Sequence, residues 1–375
     1  MKKIIIFYAS YGGGHLSAAK SIEKYLNDNY DDIETELIDC MKYVNKTIEK
    51  VSTAAYREMA KKMPWAWGKI YNDSQKGPLA HISSKANSFM AIKLLRLLKE
   101  KQPDVIVSTH PFGSQMCSYL KRKGKITAKI VTVMTDFKSH DQWLVGADFT
   151  AFFFVSNQDM QKELISKNID ENKVIVTGIP VGDRFLIEHN KKQILDNLGF
   201  SENKKTILFF GGGAFGLGKD TTLEILSCLV TKFSDTQIIA ISGKNESMKA
   251  KFEKIVADSN RQNNVKILEF TDKVPEFMSI ADLVITKPGG LTVSESLVSH
   301  VPMLIINPIP GQEEENAEFL EKQHVAKWLK KDDDINFVLN ILLNDHTVLN
   351  KMKENTYLIA KPDATKNICK IVRDM

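Results

Sequence analysis

The chain has few cysteines and no paired ones. Cys40, Cys117, Cys228 and Cys369 are scattered through 375 residues without a CxxC spacing, which excludes a disulfide-stapled scaffold and a zinc ribbon and points to a reducing compartment. No run of about 18 apolar residues is present, so no segment reads as a membrane span. Lys2-Lys3 and the apolar run Ile4 to Ala9 are too short for a secretion leader and end in Ser10-Tyr11-Gly12-Gly13-Gly14 instead of a small-residue cleavage site. A cytoplasmic setting is expected. Complete nucleotide fingerprints are missing too. Gly12-Gly13-Gly14 is not GxGxxG, and the P-loop-like Gly213, Gly218 and Lys219 are followed by Asp220 where a magnesium-holding hydroxyl belongs. Asp332-Asp333-Asp334 contains a DxD pattern but lies in a charged turn far from the glycine loops and reads as solvated.

The length suits two domains, each able to bury a sizeable core. Short apolar, β-branched runs alternate with helical patterns, first at Ile4 to Tyr8, Glu34 to Ile38, Val105 to Ser108, Lys129 to Met134, Phe149 to Val155 and Val174 to Thr177. A second series follows at Thr206 to Phe210, Gln237 to Ile241, Val265 to Phe270, Leu283 to Thr286 and Met303 to Ile306. Such alternation predicts two doubly wound α/β domains with a ligand cleft between them. The expected division is an acceptor domain over 1–180, a donor domain over 181–350 and a C-terminal helix over 351–375 that bends near Pro362 and crosses back. Gly178-Ile179-Pro180-Val181-Gly182 punctuates the join.

Charge is unevenly placed. Between Met41 and Lys101 stand thirteen Lys/Arg against four Asp/Glu, so the remainder of this +5 chain is net acidic. The insert also holds Lys61, Lys62, Trp65, Trp67 and Lys69, a mixture suited to an anionic membrane surface. The plainer alternative is a helical insert whose aromatics are core. No helix-turn-helix, RNP or zinc pattern accompanies the basic patch, and no nucleic-acid partner is expected.

The most informative stretch is Leu283 to Asn316: apolar run, Pro288-Gly289-Gly290, helical pattern, apolar run, then Gly311-Gln312-Glu313, read as an acidic loop. Ligands of open α/β sheets bind beyond the carboxyl ends of the strands, and glycines opening a helix let phosphate approach backbone N–H groups. This points to a nucleotide-sugar. On the same edge of the other domain, His15 follows Gly12-Gly13-Gly14 and Asp136 follows Val131 to Thr135. Either is a candidate general base, with turn-capping as the dull alternative for each.

Taken together, Gly12-Gly13-Gly14-His15, Val131 to Asp136, Gly178-Ile179-Pro180-Val181, Gly211-Gly212-Gly213, Thr286 to Gly290 with Ser294-Glu295, and Gly311-Gln312-Glu313 with Asn316 resemble the monogalactosyldiacylglycerol synthases and processive diacylglycerol β-glucosyltransferases. These are two-domain GT-B enzymes akin to glycosyltransferase family 28. The resemblance implies inverting transfer of a hexose from a UDP-sugar to diacylglycerol or a glycosyldiacylglycerol, peripheral to the inner face of the cell membrane, with no cofactor and no metal. It implies donor contacts from Gly211, Gly212, Gly213, Phe270, Val274, Gly289, Gly290, Glu295, Gln312, Glu313 and Asn316, and an acceptor side at Gly12, Gly13 and Gly14 with His15 or Asp136 as base. Relatives often carry an arginine directly after the Pro-Val pair; here Gly182-Asp183 precede Arg184. A polyprenyl-linked or soluble acceptor, or a UDP-sugar-binding regulator without catalysis, are the competing readings.

Overall fold

The computed structural model describes residues 1–10, 13–44, 78–211 and 219–375. It contains two six-stranded sheets in which every strand pairing is parallel. The first comprises β1 (Lys2–Tyr8), β2 (Ile33–Asp39), β3 (Val105–Ser108), β4 (Lys129–Val133), β5 (Thr150–Val155) and β6 (Val174–Val176), in the order β2-β1-β3-β4-β5-β6. The second comprises β7 (Lys205–Phe210), β8 (Thr236–Ile241), β9 (Val265–Leu268), β10 (Leu283–Thr286), β11 (Met303–Ile305) and β12 (Ala326–Trp328), in the order β12-β11-β10-β7-β8-β9. Ile4 to Phe7 and Leu283 to Thr286 are buried along their whole length, as central parallel strands covered by helices on both faces must be.

These orders fix where ligands can go. In each sheet the chain leaves one central strand toward one edge and returns on the other side, opening a crevice at the carboxyl ends of the two strands where the order reverses. The first crevice lies between β1 and β3, which pair with Phe7 opposite Ser108. The second lies between β7 and β10, with Phe209 opposite Ile285. Helix α1 (Gly13–Asn29) leaves the first crevice and buries Ala18, Ala19, Ile22 and Leu26, one helical face, against the sheet.

Two chain segments cross between the units. Gly178, at φ +91°, lies under Lys361, and a Cβ there would stand 2.4 Å from the Lys361 Cβ, so both backbone conformation and space require glycine. The expected single C-terminal helix is two. The first is His346–Ile359; the second, Ala364–Asp374, places Ile368, Cys369 and Val372 in the cluster that holds Ile4, Ile6, Ile22 and Leu26 of the first unit. Proline at 362 removes an N–H from any continuous helix, and the break falls around it.

One local reading is corrected. Gln312-Glu313 is not a loop but the first turn of a helix, Gln312–Lys322. Acidic residues at a helix N-terminus complement its dipole, and Glu314 accepts the Gly311 N–H at 3.0 Å. Asp334 of the DxD run likewise caps the helix Ile335–Asn344, accepting from the Phe337 N–H at 3.0 Å.

Candidate active site

The first crevice assembles around His15, in the opening turn of α1. Its Nδ1 stands 2.7 Å from the Thr109 carbonyl oxygen at the end of β3. A carbonyl can only accept, so Nδ1 carries the proton and donates, the Thr135 Oγ1 at 3.0 Å sharing that N–H; Nε2 then bears the lone pair. The Thr109 hydroxyl returns a bond to the His15 carbonyl at 2.9 Å, tying strand end to helix start. His110 packs its ring edge against His15 at 4.6 Å between centroids, and Trp143 lies at 6.4 Å. The residue keeps some exposure, yet burial of its ring lowers its pKa to about 4, with the Thr109 bond opposing. His15 is therefore neutral at physiological pH.

His110 caps the helix Pro111–Arg122, its Nδ1 accepting the Phe112 N–H at 3.2 Å. Burial, and then the neighbouring His15, hold its pKa well below the ordinary histidine value. Neither strand-end Thr109, acting through its backbone, nor Thr135 stands out as a site residue in the sequence. The signal for His110 is present there as a polar Thr-His-Pro step that ends a buried strand.

Asp136 is tied to the other unit. No hydrogen bond or ion pair joins Asp136 to His15 among the described residues. Its carboxyl is buried, which raises its pKa to about 6; hydrogen bonds from Gln312 and Asn316 pull the other way, while Glu313 and Glu315 push it further up. Asn316, expected at the donor, is occupied as a bridge. Its Oδ1 accepts the Phe137 N–H at 2.9 Å and its Nδ2 donates to the Pro288 carbonyl at 3.0 Å. Phe137 also stacks on Phe319 at 5.3 Å between centroids, so the helix Gln312–Lys322 is clamped to the loop after β4.

Two of the expected phosphate glycines have other reasons to exist. Gly290 opens the helix Gly290–Val298, and a Cβ there would lie 1.9 Å from the Thr135 carbonyl oxygen. The backbones of the two units touch at that point, beside the His15 partner Thr135. Gly211 is buried at the end of β7, where a Cβ would meet the Phe252 ring at 2.1 Å. Gly289 is different: a Cβ there meets nothing within 4 Å, so the space before the helix N-terminus is open. Gly13 is open in the same way, and Gly14 faces Leu291 of the second unit at ordinary contact distance, 3.5 Å.

Glu295, on the helix Gly290–Val298, is 9% exposed; burial raises its pKa to about 8, and its carboxyl has no hydrogen-bond partner among the described residues. Lys287, between β10 and Pro288, has a buried Nζ with no hydrogen-bond partner. Glu313 is half-occupied, its Oε2 accepting the Ile309 N–H at 2.7 Å, and burial raises its pKa. Phe270, on the loop after β9, is 72% exposed with Lys244 Nζ 5.6 Å from its ring centroid, while Val274 is packed against the core of the second unit. Arg184 donates to the Asp272 carbonyl at 3.0 Å and pairs with Glu276 at 3.3 Å, which engages it at the helix Val274–Ile280. Gly12, Gly212, Gly213 and the insert residues Lys61, Lys62, Trp65, Trp67 and Lys69 lie outside the described residues. Among the described residues no group of three or more His, Cys, Asp or Glu could hold a metal ion, and no helix is long and apolar enough to cross a membrane.

Residues 15–181 match the monogalactosyldiacylglycerol (MGDG) synthase family, and residues 206–368 match the glycosyltransferase family 28 C-terminal domain. The chain is similar to the processive diacylglycerol beta-glucosyltransferase of Staphylococcus aureus, 30% identical over 380 residues that cover 100% of this chain and 93% of that protein. Among solved structures it is similar to Acinetobacter baumannii MurG, with a TM-score of 0.67 at 16% identity, and to the UDP-GlcNAc 2-epimerase from Neisseria meningitidis bound to UDP-GlcNAc, with 0.66 at 16%; each covers 100% of both chains. At those identities the likeness is one of fold: two Rossmann-like domains in the GT-B arrangement.

Proposed function

Because the chain belongs to the family of monogalactosyldiacylglycerol synthases and processive diacylglycerol glucosyltransferases, we propose that it transfers a hexose from a UDP-sugar to diacylglycerol, or to a glycosyldiacylglycerol, with inversion at the anomeric carbon. The observation that carries this reading is the tautomer of His15. Its Nδ1–H is fixed by the Thr109 carbonyl, leaving Nε2 as a lone-pair acceptor on a neutral ring.

In the step we propose, Nε2 takes the proton of the acceptor hydroxyl as that oxygen forms its bond to the anomeric carbon. The bond from that carbon to the diphosphate oxygen breaks on the opposite face, and UDP leaves with the electron pair. Asp136 acts as a positioning group: its bonds to Gln312 and Asn316 hold the donor-side helix against the loop that carries Thr135. On the donor side, Phe270 is free to stack on the uracil and Glu295 to accept from ribose hydroxyls, while Gln312 and Glu313 meet the hexose with the bonding capacity left over from Asp136 and the Ile309 N–H. The open helix N-terminus at Gly289 presents N–H groups to the departing diphosphate, where dipoles stabilise developing charge. The enzyme works peripherally at the inner face of the cell membrane, with the basic, Trp-containing insert as its contact to anionic lipid.

The test is incubation with diacylglycerol vesicles and, separately, UDP-glucose, UDP-galactose and UDP-N-acetylglucosamine, followed by mass analysis of the lipid. A glycolipid from at least one donor is expected; none from any of the three would sink the proposal. Sedimentation with anionic and neutral liposomes tests the membrane contact, and equal recovery with both would count against it.

A further inference from the structure

We infer that Lys287 is the fixed cation that receives the diphosphate of the nucleotide donor, an inference that rests on the donor reading above. Its Nζ is buried and makes no hydrogen bond, and of the five such side-chain atoms among the described residues it is the one that belongs to an ammonium. An ammonium has three donors and no acceptor, so it is satisfied only by oxygen atoms, and burial without them is costly. Such a group is retained where a ligand supplies what the protein does not.

Its place in the fold says which ligand. Lys287 follows β10 directly, at the carboxyl edge of the crevice between β7 and β10 where the strand order reverses. Two residues on, Gly289 caps the helix Gly290–Val298 with open space where its Cβ would be. Lys287 thus leaves the strand three residues before the helix that Gly289 caps, and the proposed anion would meet both the ammonium and the helix-start N–H groups. Glu313 is the carboxylate whose charge reaches Lys287, but the two form no ion pair, and Glu313 is engaged with the Ile309 N–H. Arg184, the other cation brought toward this half by the sequence, is engaged with Glu276 and the Asp272 carbonyl. Burial holds the Lys287 pKa below the usual lysine value, the Glu313 charge opposing, as expected of an ammonium whose counter-anion arrives from outside.

The experiment compares UDP, uridine and UDP-glucose as titrants of the full-length wild-type chain, Lys287→Met and Lys287→Arg by calorimetry. For Lys287→Met, a loss of about 10-fold to 100-fold in UDP affinity is expected, the range for losing a hydrogen bond to a charged group, with uridine affinity unchanged. Lys287→Arg should recover part of the loss, and it serves as the second variant if methionine impairs folding. Unchanged UDP affinity in Lys287→Met overturns the inference. So does an equal loss for uridine and UDP, or a loss confined to UDP-glucose, which would move Lys287 to the hexose. A wild-type chain that binds UDP no better than uridine also overturns it. If the wild-type chain makes no glycolipid but loses its preference for UDP over uridine on Lys287→Met, the transferase proposal fails and the role of Lys287 stands.

Discussion

The crevices of the two sheets share a topology and differ in how complete they are. At the first, between β1 and β3, the groups that matter already have partners: His15 Nδ1 has Thr109 and Thr135, His110 Nδ1 has the Phe112 N–H, and Asp136 has Gln312 and Asn316. At the second, between β7 and β10, the Lys287 ammonium is buried without a partner among the described residues, the largely buried Glu295 carboxyl keeps its acceptors free of protein bonds among them, and Phe270 projects into solvent. The two crevices divide the labour. A catalytic group must be held in one orientation before substrate arrives, so its bonds are internal. A recognition group must keep its bonding capacity for the ligand, so it carries a desolvation cost in the empty protein.

Replacing the held group should do the most damage. His15→Ala removes the proposed base and is expected to lower turnover by about 10²-fold to 10⁴-fold in the vesicle assay, with little change in UDP affinity. Near-normal turnover would break the assignment of chemistry to the first crevice. Gly290→Ala comes next. A Cβ 1.9 Å from the Thr135 carbonyl oxygen must part the two backbones by about 1 Å or more, and a misplacement on the order of 1 Å costs about 10²-fold. Its neighbour is the control, since Gly289→Ala meets no protein atom within 4 Å and should act on the donor Michaelis constant while kcat is retained. If the two variants behaved alike, the domain contact at Thr135 would not matter to catalysis.

That pair of glycines also shows what a sequence can and cannot convey. The parallel strands were legible, because strands buried on both faces are continuous apolar runs such as Ile4 to Phe7 and Leu283 to Ile285. The placement of His15 and the glycine turns on the strand ends was legible for the same reason. The reasons for the glycines were not. Gly290 answers to Thr135 and Gly211 to Phe252, contacts between distant parts of the chain, and a glycine drawn close to phosphate looks the same on paper as one drawn close to a carbonyl. Gln312-Glu313 read as an acidic loop after a strand, although acidic residues equally mark a helix start. His15 is oriented by the carbonyl of Thr109, and a backbone atom leaves no residue-type signal. Lys287, flanked by a strand and a proline, carries no outward mark of a buried ammonium.

In the second crevice the expected effects are smaller and fall on binding. Glu295→Gln keeps the shape and replaces one carboxyl oxygen by an amide group that can only donate, and the donor Michaelis constant should rise about 10-fold with kcat little changed. An unchanged Michaelis constant would leave the raised pKa of this carboxyl as a packing cost with no ligand to explain it. Glu313→Ala should raise the same constant, but part of its effect will come from freeing the Ile309 N–H, so its thermal midpoint should fall while that of Glu295→Gln holds.

The finest test separates two groups that lie on the same side of the cleft. His15 and Asp136 both act as bases only when deprotonated, and burial shifts their pKa values in opposite directions, to about 4 for the histidine and about 6 for the carboxyl. The kcat/KM profile reports the ionisation of the free enzyme's essential base. With His15 as base, the rate holds from pH 7 through pH 5 and falls as pH drops through about 4, because the ring stays neutral until then. With Asp136 as base, half the rate is gone by about pH 6. The first profile is expected, and Asp136→Asn should keep its acid limb in place while lowering its height, as befits a group that positions the helix Gln312–Lys322. A wild-type limb near 6 that disappears in Asp136→Asn would transfer the proton step to the carboxyl, and the fixed tautomer of His15 would then serve only to hold Thr109 and Thr135 in register.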